Sequence, residues 1–260
     1  MSTGQLRVER EGPVGRLLLD NQERRNAISA GMWRAIAPAI DEFNADPEVR
    51  CIVIRGAGST AFAAGADISE FENNRSSASQ VAEYEAATAA AHKAIESSPK
   101  PVIALIHGFC VGGGLAVALS CDLRYADASS RFAIPAARLG LGYGAHGTNR
   151  LVATVGHASA REIMFSARRY DATEALAMGL VNRVLPDAEL DAYVQKLALE
   201  LAANAPLTIA ASKQMINALS AESGDFTSAE AAIDRCMKSG DYIEGRRAFM
   251  EKRPPAFKGR

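Results

Sequence analysis

Cysteine is scarce in this chain: four in 260 residues, at positions 51, 110, 121 and 236. That is too few to staple a chain of this length, and no spacing makes a zinc site or a CxxC redox pair. They read as reduced, mostly buried thiols, which points to a cytosolic protein. Excess charge is also missing, with 29 Lys plus Arg against 30 Asp plus Glu and a net charge of −1. Nothing in that balance attracts nucleic acid or an anionic membrane surface. No run approaches the ~20 apolar residues of a membrane span. The opening, MSTGQLRVEREGPVG, has no apolar core of the signal-peptide kind. There are four histidines, no two of them three or four residues apart, so no metal-binding pair sits on one helix face. What is plentiful is apolar surface, at 48 % of residues, which excludes disorder as a whole-chain state.

The order of elements sets the architecture. VGRLLLD (14–20), RCIVIR (50–55) and PVIALIHG (101–108) read as strands, the last two buried on both faces. Ser29 is a helix N-cap, and Met32, Ile36, Ile40 and Phe43 recur at helical spacing up to about Asn44. FENNRSSASQ (71–80) is polar and reads as a mobile surface segment, followed by an Ala-rich helix that Pro99 and Pro101 stop. LRYADASSRFAI reads as two short strands, or a strand and a turn. After Ile134 strand signals fade, and helices are expected over 158–167, 172–179, 187–204, 206–220 and 226–251. The expected fold class is α/β, with a core over residues 1–200 and a helical region over 201–260.

Two segments carry chemistry. FAAGADI (62–68) follows a strand and loop, and GFCVGGGLAVALSCD (108–122) runs from a buried strand into a helix. Consecutive glycines at a helix start bring backbone close to a ligand, and the N–H groups of the first turn favour an oxyanion or a phosphate. No GK[ST] follows, and Gly112, Gly113 and Gly114 do not give the dinucleotide spacing. Nor is there a G-x-S-x-G elbow. Taken alone, three glycines at a helix start serve equally well for a close helix-on-sheet crossing.

Together, and in this order, these segments resemble the crotonase superfamily, the enoyl-CoA hydratase/isomerase family. LLLDNQERRNAIS resembles its first strand and turn, and AFAAGADISEF and HGFCVGGGLAVALSCDLRYA its two oxyanion-hole segments. EALAMGLVNRVLP and the ending DYIEGRRAFMEKRPPAFKGR extend the match almost end to end. The resemblance implies a crotonase fold, a spiral of β-β-α turns with C-terminal helices that trimerise, often as a dimer of trimers. It implies a coenzyme A thioester as ligand, with no permanently bound cofactor. The backbone N–H groups of Ala66 and Gly113 would hold the thioester oxygen as an enolate forms. Ala64, Asp67 and Ile68 would line the adenine site. Phe249 and Lys252 match C-terminal positions that contact coenzyme A, often from a neighbouring subunit, and an ammonium suits phosphate. Arg24 and Arg25 lie in a loop where relatives place phosphate contacts, although this loop reads DNQ at 20–22 where the family has N-R-P.

The same resemblance exposes a gap. Hydratases of the family use two glutamates, and here their positions hold Ala116 and Ala136. An alanine methyl cannot move a proton, so the two-glutamate mechanism does not carry over. In the loop RLGLGYGAHGTNRL, Tyr143 stands for the family's usual proline and His146 for a glycine, placing titratable groups where relatives line the acyl pocket. The methylmalonyl-CoA decarboxylase branch also carries a tyrosine here, but usually a histidine in place of Ala66. Arg138 and Asn149 are further polar groups nearby. Three readings stand: an acyl-CoA lyase or isomerase using Tyr143 and His146, a decarboxylase of a malonyl-type thioester, and a catalytically silent acyl-CoA binder. His107 reads as structural, and His92 and His157 as ordinary helix residues.

Overall fold

The computed structural model describes residues 4–67, 70, 77–220 and 225–260. Among the described residues ten strands form two sheets. β1 (Gln5–Glu11), β2 (Val14–Asp20), β3 (Cys51–Gly56), β5 (Val102–Ile106), β7 (Leu123–Asp127) and β10 (Arg183–Leu185) make a six-stranded sheet in the order 1-2-3-5-7-10. Its strands are parallel except for the β1–β2 pair. β4 (Ala61–Ala63), β6 (Phe109–Val111), β8 (Arg131–Ala133) and β9 (Tyr170–Asp171) make the smaller sheet, parallel except for β8–β9. Each of β3, β5 and β7 is followed by a strand of the smaller sheet and then a helix, so the chain winds through repeated β-β-α turns.

Nine helices are described: α1 (Ala30–Ala45), α2 (Ala78–Ser97), α3 (Gly113–Ser120), α4 (Ala145–Ser166), α5 (Ala172–Ala177), α6 (Asp187–Ala203), α7 (Pro206–Ser220), α8 (Thr227–Met237) and α9 (Gly240–Glu251). Among the described residues no helix is long and apolar enough to cross a membrane. The central strands are buried on both faces, which is why they read as unbroken apolar runs. In β3, Ile52 and Ile54 face the main core with Trp33, Phe62 and Phe132, while Cys51 and Val53 face α6 through Leu190, Val194 and Ala198. α6 runs through residue 200 while packed on the large sheet.

Ser29 caps α1 by accepting a hydrogen bond from the Met32 N–H at 3.2 Å, and all four apolar positions read from the helical spacing are buried. Three expectations need correction, and one strand was not expected. β1 is a strand although its sequence, QLRVERE, is charged: it is an edge strand held by backbone pairing, with most side chains in solvent. β9 and β10 are strands in the region read as helical, and each is too short to show a periodicity. α4 begins at Ala145 and is broken at Gly156 (φ 74°), so the expected helix is only its second half. The stretch 226–251 is two helices, parted where Ser239 caps α9 by accepting from the Tyr242 N–H at 3.1 Å. Residues 71–76 of the polar segment lie outside the described residues, and Ala78–Gln80 already belong to α2.

Candidate active site

Two neighbouring pieces of backbone build the site. The first is the strand end 64–67, held against the loop 25–28. Ala64 N–H donates to Arg25 C=O at 3.0 Å, Ile28 N–H to Gly65 C=O at 2.8 Å, and Asp67 N–H to Ile28 C=O at 3.0 Å. This ladder skips Ala66, whose N–H engages no acceptor among the described residues. Gly65 has φ +115°, a conformation that side-chain-bearing residues rarely adopt, and Ala66 stays the bridge partner of Ile28 with its own N–H pointing away from the loop. The loop is itself pinned by buried asparagine. The Asn26 side chain donates to Ala57 C=O at 3.0 Å and Ala61 C=O at 2.7 Å, and accepts from the Asn21 N–H at 3.1 Å.

The second piece is the start of α3. Gly113 is its first residue, so its N–H has no intrahelical partner. A Cβ on Gly114 would stand 2.4 Å from Ala63 C=O, which shows how closely α3 lies against the end of β4. That approach brings the two loose N–H groups together: a Cβ on Gly113 would lie only 3.4 Å from the Ala66 nitrogen. Two N–H donors from different elements converge beside the positive end of a helix, an arrangement fit to hold a developing oxyanion. The glycine run therefore serves both readings of the sequence, with Gly114 making the close crossing and Gly113 the site.

The family model for enoyl-CoA hydratase/isomerase matches residues 9–260. The chain belongs to the enoyl-CoA hydratase/isomerase family. It is 34 % identical to the short-chain-enoyl-CoA hydratase of Clostridium acetobutylicum over 256 residues, covering 97 % of each chain. It is 35 % identical over 243 residues to the human mitochondrial methylglutaconyl-CoA hydratase, covering 90 % of this chain and 70 % of that one. An enoyl-CoA hydratase/carnithine racemase structure from Magnetospirillum magneticum superposes with a TM-score of 0.93 at 37 % identity, covering 100 % of this chain and 97 % of that one. The crotonase spiral expected of the chain is thus its fold.

Around the N–H pair, this enoyl-CoA hydratase/isomerase family member presents alanine at both expected glutamate positions: Ala116 is half-buried on α3, and Ala136 is buried in the 3-10 turn Pro135–Leu139. Tyr143 packs against the main core with its hydroxyl buried and without a hydrogen-bond partner among the described residues. Burial pushes that phenol up to about 12, so it stays a proton donor. His146 is placed differently, with 52 % of its side chain exposed and Nε2 3.1 Å from Glu96, which also pairs with Arg150 at 3.2 Å. Arg138 and Asn149 are exposed.

The expected coenzyme A positions are spread more widely. Asp67 is buried and pairs with Arg24 at 2.8 Å. Arg25 is exposed and lies over the Phe109 ring, 4.8 Å from guanidinium carbon to centroid, with Arg169 also over that ring at 5.7 Å. Ala64 is half-buried beside them, and Ile68 lies outside the described residues. Phe249 and Lys252 are exposed at the far end of the chain, on α9 and its C-cap. Phe249 borders a groove of about 900 Å³ between α7, α8 and α9.

Two residues to which the sequence gave no functional role, Trp33 and His92, stand close to the N–H pair. Trp33, the chain's single tryptophan, would have its Cζ2 3.2 Å from a Cβ on Gly113, and its indole N–H is buried without a partner among the described residues. His92, read as an ordinary helix residue, packs on Trp33 with ring centroids 5.4 Å apart. Its Nδ1 is 2.9 Å from the Ser120 hydroxyl. Burial, and then the nearby His146, hold the His92 imidazole down at about 4. His107, read as structural, bridges Asp127 at 2.7 Å and Asp191 at 2.6 Å on the far side of the large sheet.

Proposed function

We propose that this protein binds a coenzyme A thioester and stabilises the enolate of its acyl group, with the thioester oxygen between the Ala66 and Gly113 N–H groups. The observation that carries the reading is the convergence of those two unengaged donors. Negative charge grows on the thioester oxygen as the α-carbon loses a substituent, and preorganised N–H groups act most strongly where charge develops. The names of the relatives, hydratases of short-chain and methylglutaconyl thioesters, support the same substrate class.

The reaction is a lyase or isomerase step with an acid/base set that does without Glu at 116 and 136. Tyr143 serves as the proton donor, since its hydroxyl is buried, protonated and unengaged by protein. His146 joins it from the first turn of α4. The second reading, decarboxylation of a malonyl-type thioester, is favoured by the two alanines: loss of carbon dioxide makes the enolate directly and needs no base for that step. Ala64 and Asp67 border the adenine, and Arg24 and Arg25 meet phosphate. Phe249 and Lys252 serve the site of a neighbouring copy in a trimer or a dimer of trimers. The apolar groove beside Phe249 supports that assembly.

Mass spectrometry of an acyl-CoA panel in deuterated water tests the reading. The panel holds crotonyl-, methylmalonyl-, ethylmalonyl- and longer enoyl-CoA. A water adduct or a shifted double bond identifies the lyase or isomerase, and loss of carbon dioxide identifies the decarboxylase. Binding with no change in any thioester identifies a silent binder, and absence of binding overturns the reading.

A further inference from the structure

We propose that His92 is a catalytic base of this site, its Nε2 taking a proton from the acyl chain and returning it. The proposal rests on the acyl-CoA reading and adds the residue that stands in for the missing carboxylate. His92 stands on α2 behind Trp33, and its surroundings define one tautomer. The Ser120 hydroxyl is 3.1 Å from Ala116 C=O, to which it donates, so its oxygen accepts from Nδ1–H of His92 at 2.9 Å. With the proton on Nδ1, the lone pair is on Nε2, and no described residue bonds to that nitrogen.

The position fits as well as the chemistry. Through Ser120 and the Ala116 carbonyl, the imidazole stands against the turn of α3 that carries Ala116, where the resemblance places the first glutamate. Through Trp33 it is one ring removed from Gly113 and the oxyanion pair. His92 is only 7 % exposed, so bulk water does not compete for Nε2. Held at about 4, this imidazole also has nearly the proton affinity of an ordinary glutamate, about 4.3. His146, with its ring centroid 5.7 Å from His92 and half of its side chain in solvent, offers a neighbour for exchange with water.

The step balances. A proton leaves the acyl carbon for Nε2, the C–H electron pair enters the enolate, and the charge rests on the thioester oxygen between Ala66 and Gly113. The imidazolium then returns a proton to carbon. In deuterated water that proton exchanges, and the carbon gains deuterium.

The test uses butyryl-CoA and crotonyl-CoA in deuterated water, with deuterium at carbon read by mass spectrometry and binding read by calorimetry. The His92→Ala and His92→Gln variants are compared with the unaltered protein. Glutamine keeps a donor for Ser120 and has no basic nitrogen, so it remains informative if alanine disturbs packing. We expect exchange to slow by about 100-fold or more in both variants, with Kd within about threefold. Exchange retained by His92→Gln overturns the role of His92 and leaves the acyl-CoA reading intact. Binding without exchange in the unaltered protein overturns it too, and absence of binding overturns both.

Discussion

Gly113 and Gly114 are adjacent, yet a methyl group on each meets different neighbours. On Gly114 it would run into Ala63 C=O at 2.4 Å, and backbone must move. Gly114→Ala is expected to cost about 3 kcal/mol, read as a lower urea midpoint. On Gly113 the methyl would sit 3.2 Å from Trp33 Cζ2 and 3.4 Å from the Ala66 nitrogen, in the space proposed for an oxyanion. Gly113→Ala is expected to keep stability within about 1 kcal/mol and to lower turnover about 100-fold. Tyr143→Phe removes a hydroxyl that has no partner among the described residues, so the melting temperature should hold or rise, by up to about 1 kcal/mol in stability. Turnover in the same variant should fall about 100-fold, and unchanged turnover would remove Tyr143 from the mechanism. His107 predicts a pH dependence. Its hydrogen bond to Asp127, with help from Asp191, outweighs burial and raises the imidazole above its ordinary 6.5. A raised value means that the folded state holds the proton more tightly than the unfolded state. The stabilisation is complete below about pH 6.5 and is lost as pH climbs through the raised value. Urea midpoints should therefore fall on the alkaline side, and His107→Asn should flatten that slope.

Between elements, the main polar tie from α7 to the spiral is Lys213. It is buried, 2.9 Å from Asp122 and 3.3 Å from the carbonyls of Ile95 and Lys100. Asp122 is also committed, accepting from the Val102 N–H at 2.7 Å. Removing one partner leaves a partly buried charge, so Lys213→Ala is expected to cost roughly 3 kcal/mol in chemical denaturation. Lys196→Ala is the control. Its pair with Glu200 spans 3.9 Å with both side chains largely in solvent, and its loss should change stability by less than about 0.5 kcal/mol. α3 depends on a similar device. The buried Arg124 donates to the carbonyls of Leu180, Ala118 and Cys121, closing the end of an eight-residue helix whose other end carries Gly113. A cation at a helix C-terminus is favourable, and here it also joins that helix to the chain after α5.

For the whole molecule, apolar residues left outside the core gather on the last helices. Ile216, Ile233, Met237, Phe249 and Met250 line one groove, and Phe249 is 82 % exposed. A face of that kind marks an interaction surface. With a trimer proposed, sedimentation should give three or six times the chain mass. Met237→Asp should release lighter species and weaken coenzyme A binding if a neighbour's Phe249 and Lys252 serve the site. A monomer with full activity would refute that assembly.

The sequence by itself determined the family, the central strands and the two glycine-bearing segments of the candidate site, because each is written in local terms. Strands buried on both faces must be continuous apolar runs, and backbone approaching a ligand calls for glycine. β1, β9 and β10 were hidden because their order comes from pairing partners rather than from their own side-chain pattern. His92 was hidden for the same reason. Nothing in the Ala-rich helix distinguishes it from a surface histidine. Only packing brings α1, α2 and α3 together and places it between Trp33, Ser120 and His146. Tertiary structure decided which nitrogen of that ring carries a proton and how tightly, since burial and a neighbour's hydroxyl act through space rather than along the chain.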